Sequence, residues 1–385
     1  MKAIRIGIIG IGNMGTQHAR YLRAGTVRDA ELIAVCDINP ARREWARQNF
    51  PGIEVFETAD DLFKHPNLDG VIIAVPHYGH PDLAQTALQQ DLHVLIEKPA
   101  GVFTKAVRQM NRAAKESGRV FSIMYNQRAN PLYQKLRDLI HSGELGPIRR
   151  TNWIITSWYR SQSYYDSGDW RATWAGEGGG VLINQDPHQL DLWQWTTGLM
   201  PIRVRAFCGF GKYHNIEVED DVTAFVEYEN GGTGVFVTST AEAPGTNRFE
   251  IVGDRGKIVI ENGQMTFWRL RMSEREFNRT YRGGFGQPEA WECRVPVVGQ
   301  EGNHQAITQN WVDAIIHGCA LIAPGEEGIA GLEISNAMHL SAWLNDWVSI
   351  PVDEDVYWTE LQKRIATSKR HQHKMNLHLD VDGTF

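Results

Sequence analysis

Short β-branched runs alternate with helix-length stretches over the first 125 residues, and this constrains the fold more than any other feature. Strands are expected at 4–9, 31–36, 70–75, 93–96 and 120–124, with helices at 14–23, 41–49, 81–90 and 105–117 between them. Strands that are apolar almost throughout must be covered on both faces, and intervening helices are the crossovers that parallel pairing requires. Those crossovers are right-handed, so residues 1–127 read as a doubly wound α/β domain with a parallel sheet. After Pro131 the pattern changes. Helices at 131–141 and 187–197 precede strands at 203–210, 221–228, 233–240, 249–252, 257–260 and 265–270, with no helix between them. Several are separated by turn sequences such as Asn230-Gly231-Gly232 and Asn262-Gly263. Residues 128–369 are therefore expected to form an α+β unit with a large, mostly antiparallel open sheet, closed by helices at 305–317 and 328–347. Polar residues 370–385 are expected to be a tail.

The length of 385 residues suits two domains. A formal charge of −7, without a run of five like charges, argues against a nucleic-acid surface. No apolar stretch approaches 18 residues, which argues against a membrane span. The short apolar start, residues 4–11, reads as a first strand and not a signal peptide. Cys36, Cys208, Cys293 and Cys319 are far apart and lack metal-type spacing, so neither a disulfide framework nor a metal site is expected. Buried thiols of a cytoplasmic protein are the expectation.

Gly10-Ile11-Gly12-Asn13-Met14-Gly15 matches G-x-G-x-x-G between a strand and a helix, the context in which that pattern binds a dinucleotide. Gly10 permits the tight turn, Gly12 lets backbone approach a pyrophosphate, and Gly15 permits close helix–strand packing. The helix start, at Asn13 and Met14, offers free N–H groups to phosphate. Asp37 ends the second strand, about 20 residues on, where a carboxylate accepts the adenosine ribose hydroxyls. A carboxylate there repels a 2′-phosphate and favours NAD over NADP, although Arg42 and Arg43 lie nearby.

Glu97-Lys98-Pro99 follows another parallel strand, at the edge where such sheets bind ligands. Pro76 and His80 follow the preceding strand at the same level, and Asn126 follows the last one. With Gly178-Gly179-Gly180-Val181-Leu182, His188, Asp191 and the segment Asn310-Trp311-Val312-Asp313-Ala314-Ile315, this chain resembles the glucose–fructose oxidoreductase/inositol dehydrogenase family (Gfo/Idh/MocA) over residues 3–350. The resemblance implies an NAD(P)-dependent oxidoreductase acting on sugars, cyclitols or related polyols. It makes Lys98 catalytic and gives the second domain the substrate pocket. Cofactor contacts are then expected from Gly10, Gly12, Asn13, Met14, Gly15, Asp37, Pro76, His80, Glu97, Lys98 and Asn126.

One position departs from the family pattern. Members commonly carry Asp-x-x-x-His beside the substrate, and here His188 is kept while the aspartate is Asn184. An asparagine orients an imidazole without stabilising its charge, so Asn184 is expected to hold either the ring of His188 or a substrate hydroxyl. Asp191, three residues past His188, is a nearby carboxylate that could assist. Asp186, before Pro187 and three residues before Gln189, has the pattern of a helix cap.

Independently of the family, aromatic residues crowd positions 153–174: Trp153, Trp158, Tyr159, Tyr164, Tyr165, Trp170 and Trp174, interleaved with Arg160, Asp169 and Arg171. Flat rings and charged donors suit a sugar's C–H faces and hydroxyl rim, and aromatics also favour subunit contacts. Tyr159, Arg160, Trp170 and Arg171 are the expected substrate residues, with Asn184 and His188. The expected chemistry is hydride transfer between a sugar, cyclitol or glycoside alcohol and NAD, with His188 as base and Lys98 holding the oxygen. Two alternatives are a redox-neutral glycosidase or lyase working through a transient keto-sugar, and a non-catalytic NAD-binding regulator. An open sheet with an apolar face also predicts a homodimer or homotetramer.

Overall fold

The computed structural model describes residues 3–299 and 302–369. The tail expected at 370–385 lies outside the described residues.

The N-terminal sheet has six strands: β1 (Ile4–Ile9), β2 (Ala30–Cys36), β3 (Glu54–Phe56), β4 (Gly70–Ile73), β5 (His93–Ile96) and β6 (Phe121–Ile123). All are parallel, in the order β3-β2-β1-β4-β5-β6. Helices α1 (Asn13–Arg23), α2 (Pro40–Asn49), α3 (Ala59–Phe63), α4 (Gly79–Gln89) and α5 (Thr104–Ser117) are the crossovers. Burial on both faces explains the unbroken apolar runs: Val71, Ile72 and Ile73, and Val94, Leu95 and Ile96, are all fully buried. The strand order reverses between β1 and β4, which opens a crevice at their carboxyl ends. The short β3 and α3 are additions to the expected elements.

A 3-10 turn, Asn126–Ala129, leads into α6 (Pro131–His141), β7 (Ile148–Ile155), α7 (Gln162–Tyr165) and α8 (Pro187–Thr197). Strands β8 (Pro201–Phe210), β9 (Glu219–Tyr228), β10 (Thr233–Ser239), β11 (Asn247–Gly253), β12 (Gly256–Glu261) and β13 (Gln264–Leu270) follow. Next come α9 (Glu274–Thr280), β14 (Ala290–Val295), α10 (His304–His317), α11 (Gly328–Leu344), β15 (Val348–Ser349) and α12 (Glu354–Thr367). The second sheet has nine strands in the order β14-β13-β12-β11-β7-β10-β9-β8-β15. Its pairings are antiparallel except β7 with β10, which is parallel. On its covered face Trp153 stacks on Phe249 at 4.2 Å and Trp193 on Phe236 at 5.3 Å, beneath α6, α8 and α11. The other face leaves Ile154, Phe207 and Phe225 exposed.

Two helices distant in sequence join the halves. Ile307, Trp311 and Val312 of α10 pack into the core of the first sheet, although α10 lies in the expected second unit. The buried helix α11 touches α5 on one side and α8 and β8 on the other. Arg128 of the 3-10 turn is fully buried, and Nε and Nη2 donate to the two oxygens of Asp191 on α8 at 2.7 and 2.6 Å. Nη1 donates to Glu327, at the start of α11. Asp191 is thus committed to Arg128 and does not assist His188. Among the described residues no helix is long and apolar enough to cross a membrane.

Replacing Arg128 by Met leaves the Asp191 carboxylate buried without its cation. Urea unfolding is expected to show a loss of about 3–5 kcal/mol; a loss under about 1 kcal/mol would show that the pair does not hold the halves together.

Candidate active site

The glycine loop leaves β1 with Gly10 at φ +91° and enters α1, whose start no side chain caps. A Cβ on Gly15 would stand 1.8 Å from the Gly10 carbonyl oxygen, so only glycine lets the helix begin this close to the strand. A Cβ on Gly12 would meet nothing within 4 Å. The loop is therefore a cradle with its glycine face open and helix N–H groups behind it, which fits a pyrophosphate. Asp37 braces it: Oδ2 accepts from Ile11 N–H at 2.8 Å and Oδ1 from Asn39 N–H at 2.8 Å. Arg43 lies against Glu57 at 3.2 Å and donates to the Asp37 and Ile38 carbonyls, so it is not a free cation awaiting a 2′-phosphate.

Three loops converge beyond β4, β5 and β6. His80 sits fully buried with Nδ1 2.7 Å from the Pro99 carbonyl and Nε2 2.8 Å from that of Val75. Its ring binds the loop carrying Pro76 to the Lys98-Pro99 corner, and neither nitrogen is left for a cofactor. Glu97 also turns inward: Oε1 accepts from His18 Nε2 at 2.7 Å, and His18 meets Tyr21, which contacts Thr308 at 2.7 Å. Burial alone would raise the Glu97 carboxyl, but the hydrogen bond and charge of His18, with His304 and Lys98, bring it down to about 2. Asn126 is half-buried, with an Oδ1 that has no partner among the described residues.

Lys98 extends the other way. Its Nζ donates to the backbone carbonyl of Asn184 at 2.7 Å, joining the edge of the first sheet to the segment before α8. Burial lowers its proton affinity, while Glu97 and Glu177 oppose the change. That segment is a tight turn built on the triple glycine. Glu219 of β9 accepts from Gly180 N–H at 2.9 Å and Leu182 N–H at 3.0 Å, and a Cβ on Gly180 would stand 2.0 Å from the Glu219 carbonyl oxygen.

His188, on the first turn of α8, is nearly buried, and its Nδ1 has no hydrogen-bond partner among the described residues. Burial holds the imidazole well below its ordinary 6.5, and the charge of Lys98 adds to the effect. Of the two roles expected of Asn184, holding the His188 ring is not what the geometry provides. Its Nδ2 donates to Glu177, a carboxylate the sequence reading passed over. Glu177 Oε2 also accepts from Ala172 N–H at 2.5 Å, and its carbonyl accepts from His77 Nδ1 at 3.0 Å. Its position immediately before the triple glycine was the available signal. Asp186 occupies the cap position of α8 without capping it. Its carboxyl is instead fully buried, near Thr238 and Trp158, and burial pushes it well above the usual carboxylate range.

The aromatic segment divides in two. Trp153, Tyr165 and Trp174 are core residues. Trp170 packs edge-on against His77 at 5.8 Å, the guanidiniums of Arg160 and Arg171 lie over Tyr164, and Tyr159 is exposed. Among the described residues no cluster of His, Cys, Asp or Glu is arranged to hold a metal.

Two family models match the chain: "Oxidoreductase family, NAD-binding Rossmann fold" over residues 4–125 and "GFO/IDH/MocA C-terminal domain" over residues 133–259. The chain is 32% identical to the rhizopine catabolism protein MocA of Rhizobium meliloti over 205 residues, 53% of this chain but only 61% of that protein. It is 26% identical to the inositol 2-dehydrogenase of Rubrobacter xylanophilus over 344 residues, 87% of this chain and 90% of the relative. Among solved structures, the WlbA dehydrogenase of Chromobacterium violaceum, in complex with NADH and UDP-GlcNAcA, is 26% identical with a TM-score of 0.78, covering 92% of this chain and 97% of that one.

Because a Cβ at Gly12 meets nothing within 4 Å, Gly12→Val is expected to leave the melting temperature near wild type. It should weaken NADH binding by at least about 100-fold, followed by the cofactor's fluorescence; unaltered affinity would place the cofactor elsewhere.

Proposed function

Because this chain belongs to the Gfo/Idh/MocA family of NAD-binding oxidoreductases, we propose that it oxidises a secondary alcohol of a sugar or cyclitol in the cleft between its two sheets. The observation that carries this reading is the 2.7 Å bond from Lys98 Nζ to the Asn184 carbonyl, which brings an amine from the first sheet into the segment that leads to His188. The names of the relatives, an inositol dehydrogenase and a dehydrogenase holding a UDP-linked sugar acid, support the substrate class.

The glycine loop and the start of α1 would hold the cofactor's pyrophosphate, with Asp37 beside the adenosine ribose and Asn126 and the Lys98-Pro99 corner at the nicotinamide end. NAD, when bound, supplies the acceptor for the carbinol hydride. The rest falls to side chains of this chain. Lys98 keeps one proton on Asn184 and has two more to offer a substrate oxygen, where its charge stabilises the alkoxide as it forms. His188 is kept neutral by burial and takes the hydroxyl proton. Glu177 and Asn184 hold the backbone to which Lys98 bonds, and therefore position it. The exposed face with Ile154, Phe207 and Phe225 suits a homodimer or homotetramer.

The test is absorbance at 340 nm with NAD and a panel of aldoses, uronates, inositols and glycosides. One class is expected to generate NADH, and Lys98→Met should lower turnover by about 10²–10⁴-fold while circular dichroism and NADH binding are kept. Undiminished turnover in that variant would remove Lys98 from the reaction. A base that stays neutral also predicts that the acid limb of kcat/KM lies below pH 6.5, since His188 does not gain its proton there. A limb at or above pH 6.5 would contradict its assignment.

A further inference from the structure

Arg160 and Arg171 form an arrangement that the proposed chemistry does not use. Both guanidiniums lie over the ring of Tyr164, at 5.2 and 4.7 Å from its centroid. Arg160 also lies over Trp158 at 5.8 Å and Arg171 over Trp170 at 4.6 Å, and Arg171 donates to the Tyr164 hydroxyl at 3.0 Å. Stacking fixes a guanidinium's plane while leaving its in-plane N–H groups free to bind. Neither group has a close counter-ion. Among the described residues Arg160 forms no ion pair, and its Nη1 donates only to the Tyr159 carbonyl at 2.9 Å. The carboxylate nearest Arg171 is Glu177, at 4.0 Å.

Glu177 neutralises this group poorly. Its oxygens are already bonded to Ala172 N–H and the Asn184 amide, and burial raises its proton affinity. The same Asn184 bonds Lys98 through its carbonyl, so both arginines lie near the amine and both disfavour its charge. Three cations therefore face two buried carboxylates, and Glu97 is already bonded to His18, in a chain with 46 acidic residues against 39 lysines and arginines. A neutral sugar would accept hydrogen bonds here without relieving that imbalance. An anion does both, and two planar N–H forks suit its oxygens.

We propose that the substrate carries an anionic substituent, a carboxylate or a phosphate ester, bound by Arg160 and Arg171 while its ring lies against the aromatic wall. This rests on reading the cleft as a sugar dehydrogenase site.

The experiment is calorimetric titration of the NADH-loaded protein with D-glucuronate, D-glucose 6-phosphate and D-glucose, with the 340 nm assay in parallel. At least one acid is expected to bind about 10- to 100-fold tighter than glucose, and which acid does so separates carboxylate from phosphate. Arg160→Gln should collapse that ratio, while Arg160→Lys, which keeps the charge, should retain part of it. Equal binding of all three sugars, binding of neither acid, or an unchanged ratio in Arg160→Gln would overturn the proposal. Acid-selective binding with no NADH from any substrate would leave the anion site standing and defeat the dehydrogenase reading. NADH from neutral sugars without acid selectivity would do the reverse.

Discussion

Arg128 places a cation where it has no exposed surface, and the position of the helix carrying His188 depends on that charge being matched. The guanidinium belongs to the turn that leaves the first sheet, and its main partner, Asp191, is on the helix carrying His188. A buried ion pair contributes little net stability over an apolar replacement, yet losing one partner is costly. Its effect here is geometric: it fastens α8 to the turn that leaves the first sheet, one helical turn from the imidazole. Glu327 and the buried helix α11 extend the same tie to both cores. The Lys98–Asn184 bond is available because this frame has brought the two segments together.

Most of the fold was legible because the physics was local and repeated. Doubly buried strands must be apolar throughout, and the glycine loop has a spacing that steric contact enforces, as Gly15 against Gly10 demonstrates. The elements that escaped carry weak patterns. β7 alternates inward Thr151, Trp153 and Ile155 with outward arginine and asparagine, but sits at the mouth of an aromatic cluster that obscured it. β14 is mostly exposed, and only Cys293 and Val295 of its alternating face pack partly against the core. α12 buries only Tyr357 and Leu361. Likewise, the parallel pairing of β7 with β10 joins strands far apart in sequence, and no local signal encodes it.

The site was legible in position more than in wiring. Lys98 reaches the segment that carries Asn184 and leads to His188. Which polar atom meets which depended on distant residues. Glu97 and His80 sit among the expected cofactor residues, yet their side chains brace the loops from behind. Asn184 faces Glu177, Asp191 faces Arg128, and Asp186 is buried without capping its helix. The partner of Asp191 lies on another element, 63 residues away, and spacing along the chain says nothing of it. One consequence is electrostatic: with Asp191 already paired, burial and the charge of Lys98 outweigh Glu97 and hold the His188 imidazole well below its ordinary proton affinity.

The central claim is that this cleft moves a hydride from a carbinol carbon to nicotinamide. The most direct measurement follows a deuterium label at the carbon bearing the reacting hydroxyl, in the substrate found active, with NAD in a single turnover. The account predicts that the label appears at C4 of the nicotinamide, on one face only, as read by proton NMR of the recovered cofactor. A cofactor that stays unlabelled while substrate is consumed would contradict it.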